Sequence, residues 1–148
     1  MNIILNPIGV IHTPIKEKEG APIQSARSEL DGVVEVFPEY SEGLDGIDEF
    51  SHIYLLYHLN QSERVLSLYV KPFLDDRTHG VFATRYPVRP NAIGLSIVRF
   101  IRRENNRVFF NGADMLDGTP LLDIKPYIPE FDIFEVTKIG WYQNRKYS

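Results

Sequence analysis

The sequence predicts an all-β protein, built as a mostly antiparallel sheet or barrel with only short helices. Its apolar stretches are short, rich in Val, Ile, Phe and Tyr, and bounded by turn residues, as the strands of a sheet are. Strand signals recur about every ten to twenty residues, which leaves little room for crossover helices between parallel strands. Ten Gly and ten Pro interrupt the chain too often for a helical bundle. A length of 148 residues predicts one domain, residues 1–148.

The individual elements are predicted from the same pattern. Strands are predicted over residues 8–12, 33–37, 50–59, 80–84, 95–102, 107–110 and 121–124. The stretch 50–59 is apolar on both alternating faces, which indicates a central strand buried on two sides. Glu104-Asn105-Asn106 has the length and composition of a hairpin turn. A short helix is predicted over residues 41–50, with Ser41 as its N-cap and acidic residues in its first turn.

Composition and charge exclude several classes of protein. Hydrophobic residues make up 43% and charged residues 24%, which excludes a disordered chain and a coiled coil. The absence of Cys excludes disulfides and thiolate chemistry. No apolar run reaches the ~18 residues of a membrane span, and the N-terminus lacks a signal-peptide pattern, so a cytoplasmic protein is expected. The net charge of −4 divides into −7 for residues 1–50 (three cations, ten carboxylates) and +3 for residues 51–148 (thirteen cations, ten carboxylates). This uneven charge has two interpretations, an ordinary solvated surface or a local cationic face for a polyanion.

General sequence motifs of known chemistry are absent. The chain has no glycine-rich G-x-G-x-x-G after a strand, no P-loop and no G-x-S-x-G elbow, so neither a Rossmann nucleotide site nor a serine hydrolase is supported. The four histidines, His12, His52, His58 and His79, do not have the spacing of metal ligands. No metal site is therefore predicted.

Two polar segments are candidates for a binding site. In residues 80–91 a predicted strand leads into a loop that carries Arg85, Arg89 and Asn91 together with two prolines. Proline stiffens such a loop, and pre-placed donors suit a carboxylate, a phosphate or a nucleoside. The second segment places Asp114 and Asp117 before a Gly-Thr-Pro turn, a plausible wall of a polar pocket. The alternative is structural in both cases: arginines that pair with local acids, and aspartates that favour turns.

These segments resemble the TrmO-type family of S-adenosylmethionine-dependent tRNA methyltransferases, also called TsaA-like. The two long matching strings, residues 80–96 and 117–127, are far more specific than any short motif. The matching pieces occur in family order: Ile8-Gly9-Val10-Ile11 with Pro14, Ala21-Pro22-Ile23-Gln24, Gly43-Leu44-Asp45-Gly46-Ile47 with Phe50-Ser51-His52, Gly80-Val81-Phe82-Ala83-Thr84-Arg85, Arg89-Pro90-Asn91 with Ile93-Gly94-Leu95-Ser96, and Asp117-Gly118-Thr119-Pro120 through Asp123-Ile124-Lys125-Pro126-Tyr127. They span about residues 8–127.

The resemblance implies an unusual methyltransferase. Its fold is a small β-barrel, its cofactor is S-adenosyl-L-methionine, and it forms a homodimer with the cofactor near the subunit interface. The reaction implied is methylation of the exocyclic nitrogen of N6-threonylcarbamoyladenosine beside the tRNA anticodon, so the partner is the anticodon loop of tRNA and neither DNA nor a membrane. Two alternatives stay open: a non-catalytic module that binds S-adenosylmethionine or a nucleotide, and a methyltransferase for a different substrate.

The resemblance also implies the residues of the site. The implied cofactor contacts are Gln24, Ser25, Ala26, Leu59, Asn60, Arg85, Leu95, Asn111, Gly112, Ala113 and Asp114. Arg85 would pair with the methionine carboxylate, and Asp114 or Asp117 would accept from the ribose hydroxyls or the α-amino group. A base for the acceptor's proton would be Asp114, Asp117 or His52, with His58 also available, and the sequence does not choose among them.

The expected contacts with RNA come from cationic and aromatic side chains of the later strands. Candidates for the phosphate backbone are Arg89, Lys125, Arg102 and Arg103, together with Arg99 and Arg107. Alternation along a strand predicts Arg99 and Arg103 on one face and Arg102 on the other. Tyr86 or Tyr127 would stack on a base.

Overall fold

The computed structural model describes residues 1–17, 28–61 and 66–145. Contacts divide the chain into two compact units, the first comprising residues 1–60 and 93–128 and the second residues 61–92 and 129–148. Eight strands occur in the described residues: β1 (Gly9–His12), β2 (Asp31–Val36), β3 (His52–His58), β4 (Tyr69–Val70), β5 (His79–Gly80), β6 (Ile93–Glu104), β7 (Arg107–Asn111) and β8 (Thr119–Pro126). That residues 1–148 form one domain stays a prediction.

The first unit is a closed barrel of six strands in the order β1-β2-β7-β6-β3-β8, with β8 pairing back to β1. All six neighbouring pairs are antiparallel. This architecture confirms the predicted fold class. The hairpin predicted at residues 104–106 joins β6 to β7, and Asn105 takes a left-handed conformation there, with φ 56°.

The barrel interior is filled by the inward-facing residues of its strands. On β3 the residues Ile53, Leu55 and Tyr57 are buried, while the alternate side chains from His52 to His58 are half-buried on the outer face. The prediction that this strand is buried on both sides is therefore wrong, because a barrel strand has a single inner face. The buried core cluster consists of Ile11, Val34, Val36, Leu44, Ile53, Leu55, Tyr57, Val98, Val108, Phe110, Ala113, Met115 and Leu121.

The helix predicted over residues 41–50 is also wrong. Two 3-10 helices, Pro38–Leu44 and Ile47–Glu49, occupy this stretch. Ser41 lies inside the first and its hydroxyl donates to the carbonyl of Pro38 at 3.0 Å, so it is not an N-cap. Pro38 begins the first helix. Gly46 lies between the two helices in a left-handed backbone conformation, with φ 86°, and so separates the first from the second.

A bulge in β6 changes which arginines share a face. Arg99 pairs with Asn111 and Arg102 with Phe109, and the register shifts by one residue between Phe100 and Arg102. Arg99 and Arg102 therefore share the outer face. Arg103 pairs with the buried Val108 and points to the other side. The predicted grouping of Arg99 with Arg103 is wrong because plain alternation does not hold across a bulge.

The second unit contains the two-stranded sheet of β4 and β5 and short helices. A 3-10 helix spans Val81–Ala83, so the strand predicted over residues 80–84 is wrong beyond Gly80. The unit also contains the helix α1 (Pro129–Asp132) and a 3-10 helix at Gly140–Asn144. The indole N–H of Trp141 donates to the carbonyl of Ala83 at 2.7 Å, which links the 3-10 helix Gly140–Asn144 to the 3-10 helix Val81–Ala83. The helices within the described ranges are all too short to cross a membrane.

Candidate functional site

A tight turn follows β7 and leads to Asp114. The backbone N–H groups of Gly112 and Ala113 both donate to the carbonyl of Leu30, at 2.9 and 3.0 Å. Gly112 has φ 105°, a conformation that L side chains rarely adopt. From the same segment as Leu30, the Ser28 hydroxyl donates to the carbonyl of Ala113 at 2.6 Å. The backbone that presents Asp114 is therefore fixed by three hydrogen bonds to the segment before β2.

The carboxylate of Asp114 is bound to two hydroxyl groups from the barrel wall. Ser96 Oγ donates to Asp114 Oδ1 at 2.7 Å, and Tyr57 Oη lies 2.7 Å from Ser96 Oγ and 3.5 Å from Asp114 Oδ1. Tyr57 and Ser96 are buried, with 5% and 2% of their surface exposed. Burial and the neighbouring Asp114 carboxylate raise the pKa of the Tyr57 phenol well above its ordinary value of 10.0, so the phenol stays protonated at neutral pH. Sequence analysis did not single out Tyr57 or Ser96.

Several predicted cofactor residues belong to the same unit as Asp114. Leu95 precedes Ser96 on β6, faces outward and is 53% exposed. Leu59 and Asn60 follow the end of β3, where His58 pairs with Ile93 at the start of β6. Asn111, Gly112, Ala113, Asp114, Leu95, Leu59 and Asn60 thus belong to the first unit. Arg85 belongs to the second unit and is exposed there, while Gln24, Ser25 and Ala26 lie outside the described residues.

Asp117 has different partners from Asp114. Its Oδ1 accepts from the backbone N–H of Thr13 at 3.0 Å, and its Oδ2 accepts from Lys16 Nζ at 2.6 Å. His12 Nδ1 lies 3.8 Å from the same carboxylate. The Lys16 hydrogen bond, followed by that from Thr13, lowers the pKa of Asp117 below its ordinary value of 3.8. This carboxylate anchors the segment after β1 to the turn before β8.

Asp117 also lines an open cleft of about 450 Å³ on the first unit. Cations, carboxylates and aromatic rings share its wall, which includes His12, Lys16, Asp31, Arg102, Phe109, Phe110 and Asp117. Neither Asp114 nor Ser96 is among the lining residues. The two predicted carboxylates therefore have separate surroundings, and the Asp114 turn is not part of this cleft.

His52 lies on the outer face of β3, away from the buried hydroxyls of Tyr57 and Ser96 that contact Asp114. Its Nδ1 is 3.0 Å from Ser51 Oγ, and its ring meets the edge of Tyr127 with centroids 6.3 Å apart. It is three residues before Leu55, which pairs with Ser96, so about 10 Å of strand separates it from Ser96. The structure does not gather Asp114, Asp117 and His52 into one catalytic group, and their catalytic roles stay predictions.

Four of the six arginine and lysine residues predicted to bind RNA differ in what holds them. In the second unit, Arg89 Nη1 donates to the carbonyls of Thr84 and Tyr86, at 3.0 and 2.9 Å. In the barrel, Arg103 Nε donates to the carbonyl of Asn105 at 2.7 Å. These two guanidinium groups bind backbone, which supports a structural role for both.

Arg102 and Lys125 are more open to solvent. The Arg102 guanidinium lies 3.8 Å from the centroid of the Phe109 ring, and its Nε is 3.2 Å from Glu104 Oε1. Lys125 Nζ lies 3.3 Å from Asp123 Oδ2. The side chains of Arg102 and Lys125 are 54% and 64% exposed, so these ion pairs are weak and exchangeable.

Aromatic and cationic side chains meet on the outer face of β3. Tyr127 contacts both His52 and Tyr54 edge to face, with centroids 6.3 and 5.7 Å apart. In the sheet His52 pairs with Arg99, and Tyr54 pairs with Lys125. We call His52, Tyr54, Tyr127, Arg99 and Lys125 the aromatic–basic face. Within the described ranges, no three His, Cys, Asp or Glu side chains are grouped to hold a metal ion.

Acidification is expected to weaken the link between Asp117 and Lys16. Because the folded state lowers the pKa of Asp117, the ionised carboxylate stabilises the barrel fully above 3.8, and this contribution is lost as the pH falls through the lower folded-state value. Asp117→Asn should therefore lose less of its free energy of unfolding than the wild type between neutral and strongly acidic pH. Urea unfolding of both proteins at each pH measures this, and equal pH dependence would contradict it.

Comparison with known proteins identifies relatives over nearly the whole chain. The model of the tRNA-methyltransferase O N-terminal domain matches residues 10–133. A probable S-adenosyl-L-methionine-binding protein of Pyrococcus abyssi is 54% identical over 142 residues, covering 95% of this chain and 77% of that protein. The tRNA (adenine(37)-N6)-methyltransferase of Mus musculus is 38% identical over 142 residues, covering 88% of this chain and 32% of the mouse protein.

Solved structures show the same similarity. A crystal structure of TrmO superposes with a TM-score of 0.80 at 38% identity, and covers 95% of this chain and 64% of that one. TrmO from Pseudomonas aeruginosa gives a TM-score of 0.76 at 35% identity, with 95% of this chain and 62% of that one covered. The chain thus spans less than two thirds of either solved chain.

Proposed function

Because the chain belongs to the tRNA-methyltransferase O N-terminal domain family, we propose that it binds S-adenosylmethionine and transfers its methyl group to tRNA. The observation that carries the proposal is the family match over residues 10–133, which includes strands β2 to β8. The family predicted from the sequence is thereby confirmed. The names of the relatives, S-adenosyl-L-methionine-binding proteins and tRNA methyltransferases, agree with the predicted cofactor and the predicted class of enzyme.

The surroundings of Asp114 suit one end of this cofactor. S-adenosylmethionine carries an ammonium group and two ribose hydroxyls, which need acceptors, and apolar surfaces around its adenine and sulfonium. Asp114 offers a carboxylate on a fixed turn, whereas Leu95 lies on the opposite face of β6 from Ser96, the residue that donates to Asp114. We assign Asp114 to the ammonium or ribose hydroxyls, and the role of Leu95 stays as predicted from the resemblance. The roles of Arg85 and of residues 24–26 stay as predicted from the resemblance.

The acceptor we propose is the exocyclic nitrogen of N6-threonylcarbamoyladenosine beside the anticodon. The name of the mouse relative, an adenine(37)-N6 methyltransferase, supports this choice. In the reaction the methyl carbon's bond to sulfur breaks as its bond to nitrogen forms, which releases S-adenosylhomocysteine and a proton. The sulfonium is a good leaving group, so holding the two reactants in line supplies most of the acceleration.

A second candidate function is binding of S-adenosylmethionine without methyl transfer. It is favoured by the archaeal relatives, which are 42% to 54% identical and are named only as binding proteins. The same binding site would serve both functions, so the contacts of Asp114 do not distinguish the enzyme from the binding protein. An assay of tRNA methylation distinguishes the two.

We propose the aromatic–basic face as the surface that meets the RNA. Three aromatic rings offer stacking to unpaired bases, and Arg99 and Lys125 flank them with positive charge for phosphates. Arg102 extends the cations along the same outer side of β6. Arg89 and Arg103, which bind backbone carbonyls, are not assigned to RNA.

We further propose a homodimer, working in the cytoplasm, that associates through the outer side of residues 93–97 of β6, which leaves Arg99 and Arg102 to the RNA. The side chains of Ile93, Leu95 and Ile97 are 43%, 53% and 40% exposed there, which forms an apolar strip that a second copy would cover. Sedimentation equilibrium at micromolar concentration tests this. Ile93→Glu combined with Ile97→Glu should shift the protein to a monomer of 17.1 kDa.

Nucleoside analysis of tRNA tests the enzymatic proposal directly. Purified protein is incubated with S-adenosylmethionine and tRNA that contains threonylcarbamoyladenosine, and the nucleosides are separated by mass spectrometry. A new nucleoside heavier by one methyl group supports the enzyme. Tight cofactor binding by calorimetry with unchanged nucleosides supports the binding module instead, and no binding at all contradicts both.

The affinity for tRNA should fall with salt if the aromatic–basic face binds phosphates. Each neutralised phosphate contributes about −0.7 to the slope of log affinity against log salt in single-stranded regions. Lys125→Ala and Arg99→Ala should therefore each reduce the slope by about 0.7. Arg107, another predicted phosphate contact, lies on β7, a strand that pairs with neither β3 nor β8, so Arg107→Ala should leave the slope unchanged if the contacts are confined to this face. Equal slopes for all three variants and the wild type would remove this face from the proposal.

A further inference from the structure

We infer that Tyr57 and Ser96 are positioning residues that hold the Asp114 carboxylate in its cofactor-binding orientation. The inference rests on the proposed function, in which Asp114 contacts S-adenosylmethionine. Neither hydroxyl would touch the cofactor itself. Both act through Asp114, and the three groups form one connected chain from the barrel interior to the turn after β7.

The direction of the hydrogen bonds follows from the number of protons available. An ionised carboxylate only accepts, so Ser96 must use its single hydroxyl proton for Asp114 Oδ1 at 2.7 Å. Tyr57 then donates its proton to Ser96 Oγ, also at 2.7 Å. A donor that is itself hydrogen-bonded at its oxygen is polarised and donates more strongly. The Tyr57 phenol is protonated at neutral pH, as a phenol of ordinary pKa is, so it is available as this donor.

Packing holds the Tyr57 ring where its hydroxyl reaches Ser96. Tyr57 pairs across the sheet with Gly94, two residues before Ser96. A Cβ at position 94 would lie 2.1 Å from Cε2 of the Tyr57 ring, so the ring covers the glycine directly. On its other side the strand pairs with β8 at Leu121. The ring is thus held over β6, the strand that carries Ser96.

The consequence concerns the cost of ordering a side chain when the cofactor binds. A free aspartate on a turn samples several rotamers and loses that freedom on binding, which subtracts from affinity. Asp114 is already held through Oδ1 before any ligand arrives. Removal of either hydroxyl should therefore weaken cofactor binding although neither residue contacts the cofactor.

Calorimetric titration of S-adenosylmethionine into single variants is the first test. Ser96→Ala removes the donor to a charged group and should weaken binding roughly tenfold or more. Tyr57→Phe leaves the Ser96 bond to Asp114 and should weaken binding by roughly two- to tenfold. The matched control is Thr119→Val, which removes another buried barrel hydroxyl, bonded to the carbonyl of Leu116, and should leave the affinity unchanged. Thermal unfolding of each variant records its separate effect on stability.

A double-mutant cycle with Asp114→Asn distinguishes positioning from a general structural effect. If Ser96 acts through the carboxylate, Ser96→Ala should have little further effect on affinity once Asp114 is Asn. If it only stabilises the fold, the two losses should add. Ser96→Thr restores a hydroxyl at the same position and should recover part of the affinity that Ser96→Ala loses.

The outcomes separate this inference from the function on which it rests. No binding of S-adenosylmethionine by the folded wild-type protein would overturn the proposed function. Binding by the wild type together with unchanged affinity in both Ser96→Ala and Tyr57→Phe would overturn only the inference. Additive losses in the cycle, or an Asp114→Asn variant that binds like the wild type, would overturn it as well.

Discussion

Phe110→Ala is expected to reduce the free energy of unfolding by about 3–5 kcal/mol, the range for removing a buried aromatic side chain. Phe110 is fully buried in the centre of the barrel. Its ring lies against Gly32 of the paired strand, where a Cβ would come within 2.5 Å of the ring. Because that glycine has no side chain to move into the space, the substitution leaves a cavity. A domain is stable by only about 5–15 kcal/mol, so much of its stability would be lost.

Phe109→Ala is the matched control for this prediction. Phe109 is the preceding residue on the same strand, is half-buried on the outer face and lies under the Arg102 guanidinium. Its loss should cost about 1 kcal/mol, mainly the contact with the cation. Urea unfolding of the two variants and the wild type measures both values. Equal losses would contradict the assignment of Phe110 to the inner face and Phe109 to the outer one.

The contrast between Phe110 and Phe109 depends on the alternation of inward and outward side chains along a strand. This alternation is visible in the sequence as apolar residues at every second position. Val34 and Val36 on β2 and Val108 and Phe110 on β7 alternate with less buried residues, and the structure buries all four. Short strands with inward apolar residues and frequent turns therefore sufficed to predict a mostly antiparallel sheet or barrel, and the family resemblance implied the small barrel. The family was recognised from long continuous stretches of matching residues, which can be read directly from the sequence.

Features that depend on neighbours distant in sequence were not predicted. Tyr57 and Ser96 are 39 residues apart, and Ser96 and Asp114 are 18 apart, so no local motif links the three. The signal that was available is the placement of polar groups at inward positions of β3 and β6, since a buried hydroxyl needs a partner. The bulge near Ile101 had no such signal, because the residues around it are exposed or half-buried.

Asp114→Asn is expected to weaken S-adenosylmethionine binding by about 1.5–3 kcal/mol, roughly 10- to 150-fold, as loss of a charged hydrogen-bond partner does. The amide keeps the size of the side chain but removes its negative charge and replaces one acceptor with a donor. In the wild type the Ser96 hydroxyl donates to Asp114 Oδ1. In the variant the same hydroxyl can donate to the amide oxygen of Asn when that oxygen occupies the position of Oδ1. The fold should therefore survive, and the loss should appear in affinity.

Asp117→Asn is expected to leave the affinity within about threefold, because Asp117 bonds to Thr13 and Lys16 and lines a different cleft. The two aspartates are three residues apart and the sequence does not choose between them, so the pair of variants decides which one serves the cofactor. Calorimetry at neutral pH gives both affinities, and urea unfolding of the same samples shows whether either variant has lost its fold. A large loss for Asp117→Asn with normal binding by Asp114→Asn would reverse the assignment. Normal binding by Asp117→Asn without methyl transfer would instead identify Asp117 as the base that takes the proton of the accepting nitrogen.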